Sequence, residues 1–287
     1  MNYPFETESK PAHLLEFAVA KSLLMIVFVV GVFGCASIAT AETPTATSNQ
    51  LPTSENAMET PKLLIFDVNE TLLDLAPLKT SVGEALGGRE DLLPFWFSTM
   101  LHYSLVETLS DQYHDFGEIG TAALLMVAES QGVELTEEEA KQAIVPTIRS
   151  LPPHPDVIEG IHRLKQAGYR VVSLTNSSSA GVEAQFRNAG LTELFERRYS
   201  VDAVGKFKPH PATYAHVLRD LDVKPGDAMM VAAHAWDLAG AKNAGLQTAF
   251  IKRPGKTLYP NASKPDMIVA DLNELADQLA QNHDNPT

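Results

Sequence analysis

The residue of this 287-residue chain with the clearest chemical promise is an aspartate at the end of an apolar run. Lys62 to Val68 reads KLLIFDV, and Asp67 closes its apolar stretch. In water a carboxylate is a weak nucleophile. Fixed at a strand end and partly desolvated, it can displace halide or attack phosphorus and form an ester intermediate. Other polar residues fall at or just beyond the ends of comparable runs: Thr71 after Asp67, Thr175 and Asn176 after RVVSL, and Asp237 after AMMVAA. Lys208 completes a workable set. It would hold Asp67 ionised and attract an anionic substrate, Asp237 would orient Lys208, Thr71 would position Asp67, and Thr175 with Asn176 would grip a substrate carboxylate. Each has a plainer reading when taken alone: an Asp at a strand end is often a helix cap, Thr71 suits a helix start, and Lys208 before Pro209 suits a solvated loop.

These residues need a scaffold, and the chain between them supplies one. Short apolar runs at Lys62–Val68, Arg170–Leu174, Ala228–Ala233, Gln247–Ile251 and Met267–Val269 read as strands buried on both faces. Helical patterns at Asp156–Ala167, Ala180–Ala189, Pro211–Leu221 and Leu238–Ala244 alternate with them, and Gly168, Gly190 and Gly245 stand where helices stop. This alternation predicts an α/β fold with a Rossmann-like parallel sheet whose ligand crevice lies beyond the carboxyl ends of the strands. Leu75 to Arg149 breaks the pattern, with helix-like stretches at Phe95–Leu109 and Thr121–Ser130 and a helix start at Thr136. An insertion of about 75 residues is too long for a loop, so it is expected to be a helical cap over the crevice. The predicted core is then residues 62–74 and 151–280, the cap 75–150, and the tail 281–287.

Phe66-Asp67-Val68-Asn69-Glu70-Thr71-Leu72-Leu73-Asp74 resembles the first motif of the haloacid dehalogenase superfamily. Ser173-Leu174-Thr175-Asn176 is similar to its second motif, Lys208-Pro209 with Tyr214 to its third, and Ala232 to Asp237 to its fourth. All four occur in order, the first, second and fourth at a predicted strand end. Lys-Pro-x-x-x-x-Tyr with Ala-Trp-Asp resembles the type II branch, which dehalogenates L-2-haloacids. The resemblance implies Asp67 as the attacking residue and a substrate site at Thr175, Asn176 and Tyr214.

The alternative within the superfamily is a Mg²⁺-dependent phosphatase. That branch needs a second acid two positions after the nucleophile, where this chain has Asn69, and commonly an Asp where Ala233 stands. Halide departs without protonation, so neither is required for carbon–halogen cleavage, and no metal or other cofactor is expected. Two departures from the type II pattern stand out. The Arg that usually follows a Trp in the first cap helix is replaced, since Trp96 precedes Phe97, and Ala232 and His234 occupy positions usually held by Ser and Asn. Glu70 and His234 offer a substitute: a carboxylate-oriented imidazole is a general base suited to neutral pH. Trp96 and Phe97 are expected to form an apolar lid around the halogen. A third reading, from another class, is a catalytically silent protein that binds small anions in the same crevice.

A formal charge of −14 argues against a sequence-independent nucleic-acid binder, because it repels phosphate backbones. Leu23–Gly34 is an apolar run preceded by Lys21 and followed by Ala39-Thr40-Ala41. These are the parts of a secretory signal peptide spanning 1–41, ahead of a Thr/Ser/Pro-rich linker at 42–61. Glu6, Glu8 and Glu16 are unusual in such a signal, which makes Val19 an alternative start. Periplasmic or secreted location is expected with no membrane association after cleavage, ahead of a lipid anchor at Cys35 or an uncleaved anchor. The expected partner is a small anionic substrate, with a homodimer as the optional assembly.

Overall fold

The computed structural model describes residues 60–284; the expected signal segment, its cleavage site, Cys35 and most of the linker lie outside them. Six strands form one parallel sheet: β1 (Leu63–Phe66), β2 (Arg170–Thr175), β3 (Arg197–Ser200), β4 (Ala228–Ala232), β5 (Gln247–Ile251) and β6 (Met267–Val269). Their spatial order is β3-β2-β1-β4-β5-β6. The two most apolar strands are central. All four residues of β1 and all five of β4 are fully buried, and each such large side chain contributes roughly 1.5–3 kcal/mol by leaving water.

Register aligns the chemistry. Phe66 of β1 stands opposite Ser173 of β2 and Val231 of β4, so the chain leaves all three strands at one edge. Asp67 and Ala233 follow there directly, and Thr175 ends β2. The order reverses at β1, which sends successive connections to either side of it and opens a crevice at that edge.

Between β1 and β2 come α1 (Ala76–Ala85), α2 (Leu93–Leu109), α3 (Phe116–Ser130), α4 (Glu137–Arg149) and α5 (Val157–Gln166). Capping boxes start two of them. The Asp115 carboxylate accepts from the Glu118 amide while Glu118 accepts from the Asp115 amide, and Thr136 with Glu139 repeats the pattern at α4. The remaining helices, α6 (Ser179–Asn188), α7 (Pro211–Leu221), α8 (Ala235–Asn243) and α9 (Leu272–Asp284), flank the sheet. Gly168, Gly190 and Gly245 have φ of 91°, 70° and 86°, the left-handed stops that their positions in the sequence predict. Helix α2 meets the core near the crevice, where the Phe207 amide donates to the Thr108 hydroxyl at 3.0 Å and Lys206 Nζ lies 3.1 Å from the Thr108 carbonyl.

Candidate active site

Asp67 sits one residue beyond β1, only 4% exposed, with its amide donating to the Val231 carbonyl at 3.0 Å. Its two carboxylate oxygens receive three donors. Lys208 Nζ lies 2.9 Å from Oδ1, while the Thr71 hydroxyl and His234 Nδ1 lie 2.7 and 3.0 Å from Oδ2. Thr71 is itself fixed, because its hydroxyl accepts the Ala233 amide at 2.9 Å. Burial pushes the Asp67 carboxyl up, but the Lys208 charge and the bonds from His234 and Thr71 outweigh it and hold the group well below the usual carboxylate range.

Lys208 is 1% exposed and directs its ammonium at Asp67, at Asp237 Oδ2 (2.6 Å) and at the Leu174 carbonyl (2.8 Å). Three donors thus meet three acceptors. Burial works against its charge, yet Asp237 and Asp67 raise its pKa and keep it cationic. The other oxygen of Asp237 is held by the Tyr214 hydroxyl at 2.6 Å. Close packing of α7 on α8 makes this possible at Gly240, where a Cβ would come within 2.3 Å of Pro209 Cβ and 2.8 Å of the Tyr214 hydroxyl.

His234 lies between two carboxylates. Nδ1 faces Asp67, and Nε2 lies 2.8 Å from Glu70 Oε2. With a carboxylate on each nitrogen, both nitrogens donate and the ring is an imidazolium. Burial alone would lower its pKa, but the bonds and charges of Asp67 and Glu70 push it up to about 9. Glu70 reaches this position through a left-handed backbone (φ 62°), a conformation that costs a non-glycine residue about 1–3 kcal/mol. Its second oxygen, Oε1, is 2.6 Å from Lys256 Nζ. The cluster is charge-balanced: Asp67, Glu70 and Asp237 face Lys208, Lys256 and protonated His234. Trp236 and Phe97 stack near the imidazole, with ring centroids 5.1 and 6.3 Å away.

Because the folded pKa of His234 is raised from 6.5 to about 9, its contribution to stability is complete below about pH 6.5 and is lost as pH rises through 9. A shift of that size corresponds to stabilisation on the order of 3 kcal/mol. Thermal unfolding between pH 7 and 10 should therefore show a steeper fall in Tm for the wild type than for His234→Gln. Parallel slopes would refute the imidazolium assignment.

The structure brings Asp67, Thr71, Lys208, Asp237, Glu70 and His234 into one cluster. Asn176 joins it, accepting the Lys208 amide at 3.0 Å, while its buried Nδ2 has no protein partner. The Thr175 hydroxyl accepts the Ser177 amide at 3.1 Å. Phe97 faces the site through its stacking on His234. Two expected substrate contacts are placed elsewhere. Trp96 is fully buried and donates its indole N–H to the Gly120 carbonyl at 2.8 Å, so it packs α2 on α3; Tyr214, equally buried, engages Asp237. His234 also departs from its expected role as a neutral base, since both flanking carboxylates act on it together.

Neither the place of Lys256 in this cluster nor the destination of Asn69 has a signature in the sequence. The Asn69 amide donates to Ser177 Oγ at 3.1 Å and its oxygen accepts from Gln185 at 2.8 Å, so it faces away from Asp67. The oxygens of Asp67, Glu70 and Asp237 are likewise taken by cationic or hydroxyl donors, an arrangement that does not fit a Mg²⁺ ligand set. A cavity of about 320 Å³ meets the cluster at Lys208 and is otherwise lined by Ser98, Leu101, His102, Ser104, Leu105, Pro209 and Trp236. A larger one of about 610 Å³ lies between α3, α4 and α6 and touches none of Asp67, Lys208 or His234.

Comparison with known proteins agrees with this geometry. Haloacid dehalogenase-like hydrolases match over residues 61–245. The chain is 32% identical over 223 residues to (S)-2-haloacid dehalogenase 1 of Pseudomonas sp. (strain CBS-3), covering 77% of this chain and 98% of that protein. Among solved structures, the L-2-haloacid dehalogenase from Xanthobacter autotrophicus superposes with a TM-score of 0.72 at 28% identity, covering 77% of this chain and 99% of that one. The same enzyme with chloropropionic acid covalently bound gives a TM-score of 0.72 at 27% identity, covering 79% and 100%. With its parallel α/β core and its four motifs clustered at one sheet edge, the chain belongs to the haloacid dehalogenase-like hydrolases.

Proposed function

We propose that this hydrolase cleaves the carbon–halogen bond of short 2-haloalkanoic acids through an ester of Asp67. The observation that carries this reading is Asp67 itself: a nearly buried carboxylate kept anionic by Lys208, Thr71 and His234, with Lys208 in turn lining a small, largely apolar cavity. The covalent adduct named for the Xanthobacter autotrophicus enzyme supports it. In the first step a carboxylate oxygen of Asp67 forms a bond to C2, and the carbon–halogen electron pair leaves with the halide. The Asn176 Nδ2 group, buried and unpartnered, suits the substrate carboxylate.

The second step needs a base, and the resting imidazolium is not one. Esterification removes the negative charge of Asp67, leaving Glu70 as the sole carboxylate on the ring, so the affinity of His234 for its proton falls. Once His234 Nδ1 has shed that proton to solvent, it can take another from water. The hydroxyl adds to the ester carbonyl, the 2-hydroxy acid departs and Asp67 is regenerated; overall, water and the haloacid yield the hydroxy acid, halide and one proton. The Leu23–Gly34 run and Ala39-Thr40-Ala41 support a periplasmic setting for this activity.

A phosphatase reading is disfavoured by Asn69, whose amide cannot donate as a general acid and is engaged by Ser177 and Gln185. The test is to incubate the purified protein with 2-chloropropionate, measuring chloride and lactate, and with a chromogenic phosphoester with and without Mg²⁺. Equimolar chloride and lactate, unaffected by EDTA, are expected. Metal-dependent phosphate release without chloride would overturn the proposal.

A further inference from the structure

Lys256 lies on the loop after β5, 186 residues from Glu70 in sequence, yet its ammonium is 2.6 Å from Glu70 Oε1. The loop is anchored where it needs to be. The Lys256 amide donates to the Arg253 carbonyl at 3.0 Å, Arg253 Nε donates to the Thr71 carbonyl at 3.0 Å, and the Arg253 guanidinium binds both oxygens of Asp156 at 2.7 and 2.9 Å. Arg253 therefore ties the Lys256 loop to the Asp67–Thr71 turn and to the start of α5. The Glu70 end is fixed as well: its amide donates to the Leu73 carbonyl at 2.9 Å, and His154 Nε2 lies 3.3 Å from its carbonyl. The ammonium also stands 6.0 Å from the centre of the Phe97 ring that covers His234.

The charged groups around His234 form one chain. Asp67 and Glu70 touch the ring; Lys208 lies behind Asp67, Lys256 behind Glu70, and among the described residues the uncharged rings of Phe97 and Trp236 stack beside it. Arg253 and His154 lie behind Glu70, the first neutralised by Asp156. Lys208 balances a carboxylate that the reaction consumes and restores, whereas Lys256 balances the one carboxylate that remains on the imidazole throughout.

We propose that Lys256 is a positioning residue for the hydrolytic step: it fixes Glu70 with one oxygen on His234 and weakens that carboxylate's hold on the imidazole proton. This rests on the ester mechanism above. Without Lys256, Glu70 would carry its full charge against the ring, and His234 would keep its proton at pH values where hydrolysis should run. Both nitrogens would then still be donors when the ester is waiting for water. The side-chain exposure of Lys256, 22%, lets it be replaced without opening the core.

The experiment is rapid-quench chloride release from 2-chloropropionate followed by steady-state turnover, each across pH 6 to 10, in wild type, Lys256→Met and Lys256→Arg. Lys256→Met should keep a burst of one chloride per site while its steady-state profile moves to higher pH by about one unit, which makes turnover near pH 7 about tenfold slower. Lys256→Arg should restore the wild-type profile. An unshifted or downward-shifted profile in Lys256→Met, or a lost burst in that variant alone, would overturn the assignment while leaving the ester mechanism intact. Absence of a burst and of an Asp67 adduct in the wild type would instead remove the mechanism it rests on. Titration of the His234 ring by NMR in resting Lys256→Arg and Lys256→Met gives a second readout, independent of turnover; equal midpoints in the two would also count against the proposal.

Discussion

Replacing Asp67 by Asn should abolish chloride release from 2-chloropropionate, by about 10⁴-fold or more, because the atom that forms the bond to C2 is gone and no neighbouring carboxylate can take its place. The variant should still fold. Lys208 keeps Asp237 and the Leu174 carbonyl, and Thr71 keeps the Ala233 amide. What changes is charge: His234 loses one of its two carboxylates, so its pKa should drop toward that of an ordinary imidazole. Two measurements thus bear on one substitution. Chloride release reports the nucleophile, and the His234 titration reports whether Asp67 is what keeps the ring protonated. Normal chloride release in Asp67→Asn would end the ester mechanism, whatever the titration showed.

His234→Ala should separate the two chemical steps. Asp67 retains Lys208 and Thr71, so alkylation should proceed and give a chloride burst of one per site. Release of the ester then lacks its base, and general acid–base catalysis of this kind is worth about 10²–10⁴-fold. The protein should therefore accumulate heavier by one carboxyethyl group, and peptide mapping should place the addition on Asp67. Full turnover in this variant would reject His234 as the group that activates water. Glu70→Gln is a useful companion, because it leaves the shape of the pair but removes the anion.

Much of the fold was legible because burial on two faces demands continuous apolar runs, and β1, β2, β4 and β5 have them; β6 shares the run but not the burial, since it ends the sheet and leaves Ile268 exposed. Strand β3 escaped notice for the opposite reason. It reads RRYS, lies at the sheet edge and leaves Arg197 exposed, so it has no need of an apolar signature. Helix α1 was equally unmarked, with Pro77 near its start but no side-chain cap. At the site, Asp67 and Asp237 were legible because strand ends in a parallel sheet must converge, whereas Lys208, eight residues beyond β3, was legible through the Lys-Pro-x-x-x-x-Tyr pattern. Lys256 was not, since a loop lysine 186 residues from its partner carries no pattern that distinguishes it from a solvated charge. Aromatic identity alone does not tell which side chain faces substrate, which is why Phe97 reaches His234 while Trp96 turns toward Gly120. The protonation of His234 was illegible for a related reason: it follows from two carboxylates acting together, and spacing alone reveals neither distance.

The bond from Tyr214 to Asp237 bears on a question of chemical discrimination. Two carboxylates lie within 2.9 Å of the same ammonium, and under the proposed mechanism only one of them is to be alkylated. Asp237 is fully enclosed, with one oxygen on Lys208 and the other on Tyr214, whereas Asp67 keeps 4% exposure. The phenol thus acts as a protecting group in the synthetic chemist's sense, masking one of two similar functional groups so that modification is regioselective. Under the ester mechanism proposed above, this masking would confine alkylation to Asp67, the carboxylate that His234 Nδ1 contacts and whose ester it could therefore help to release.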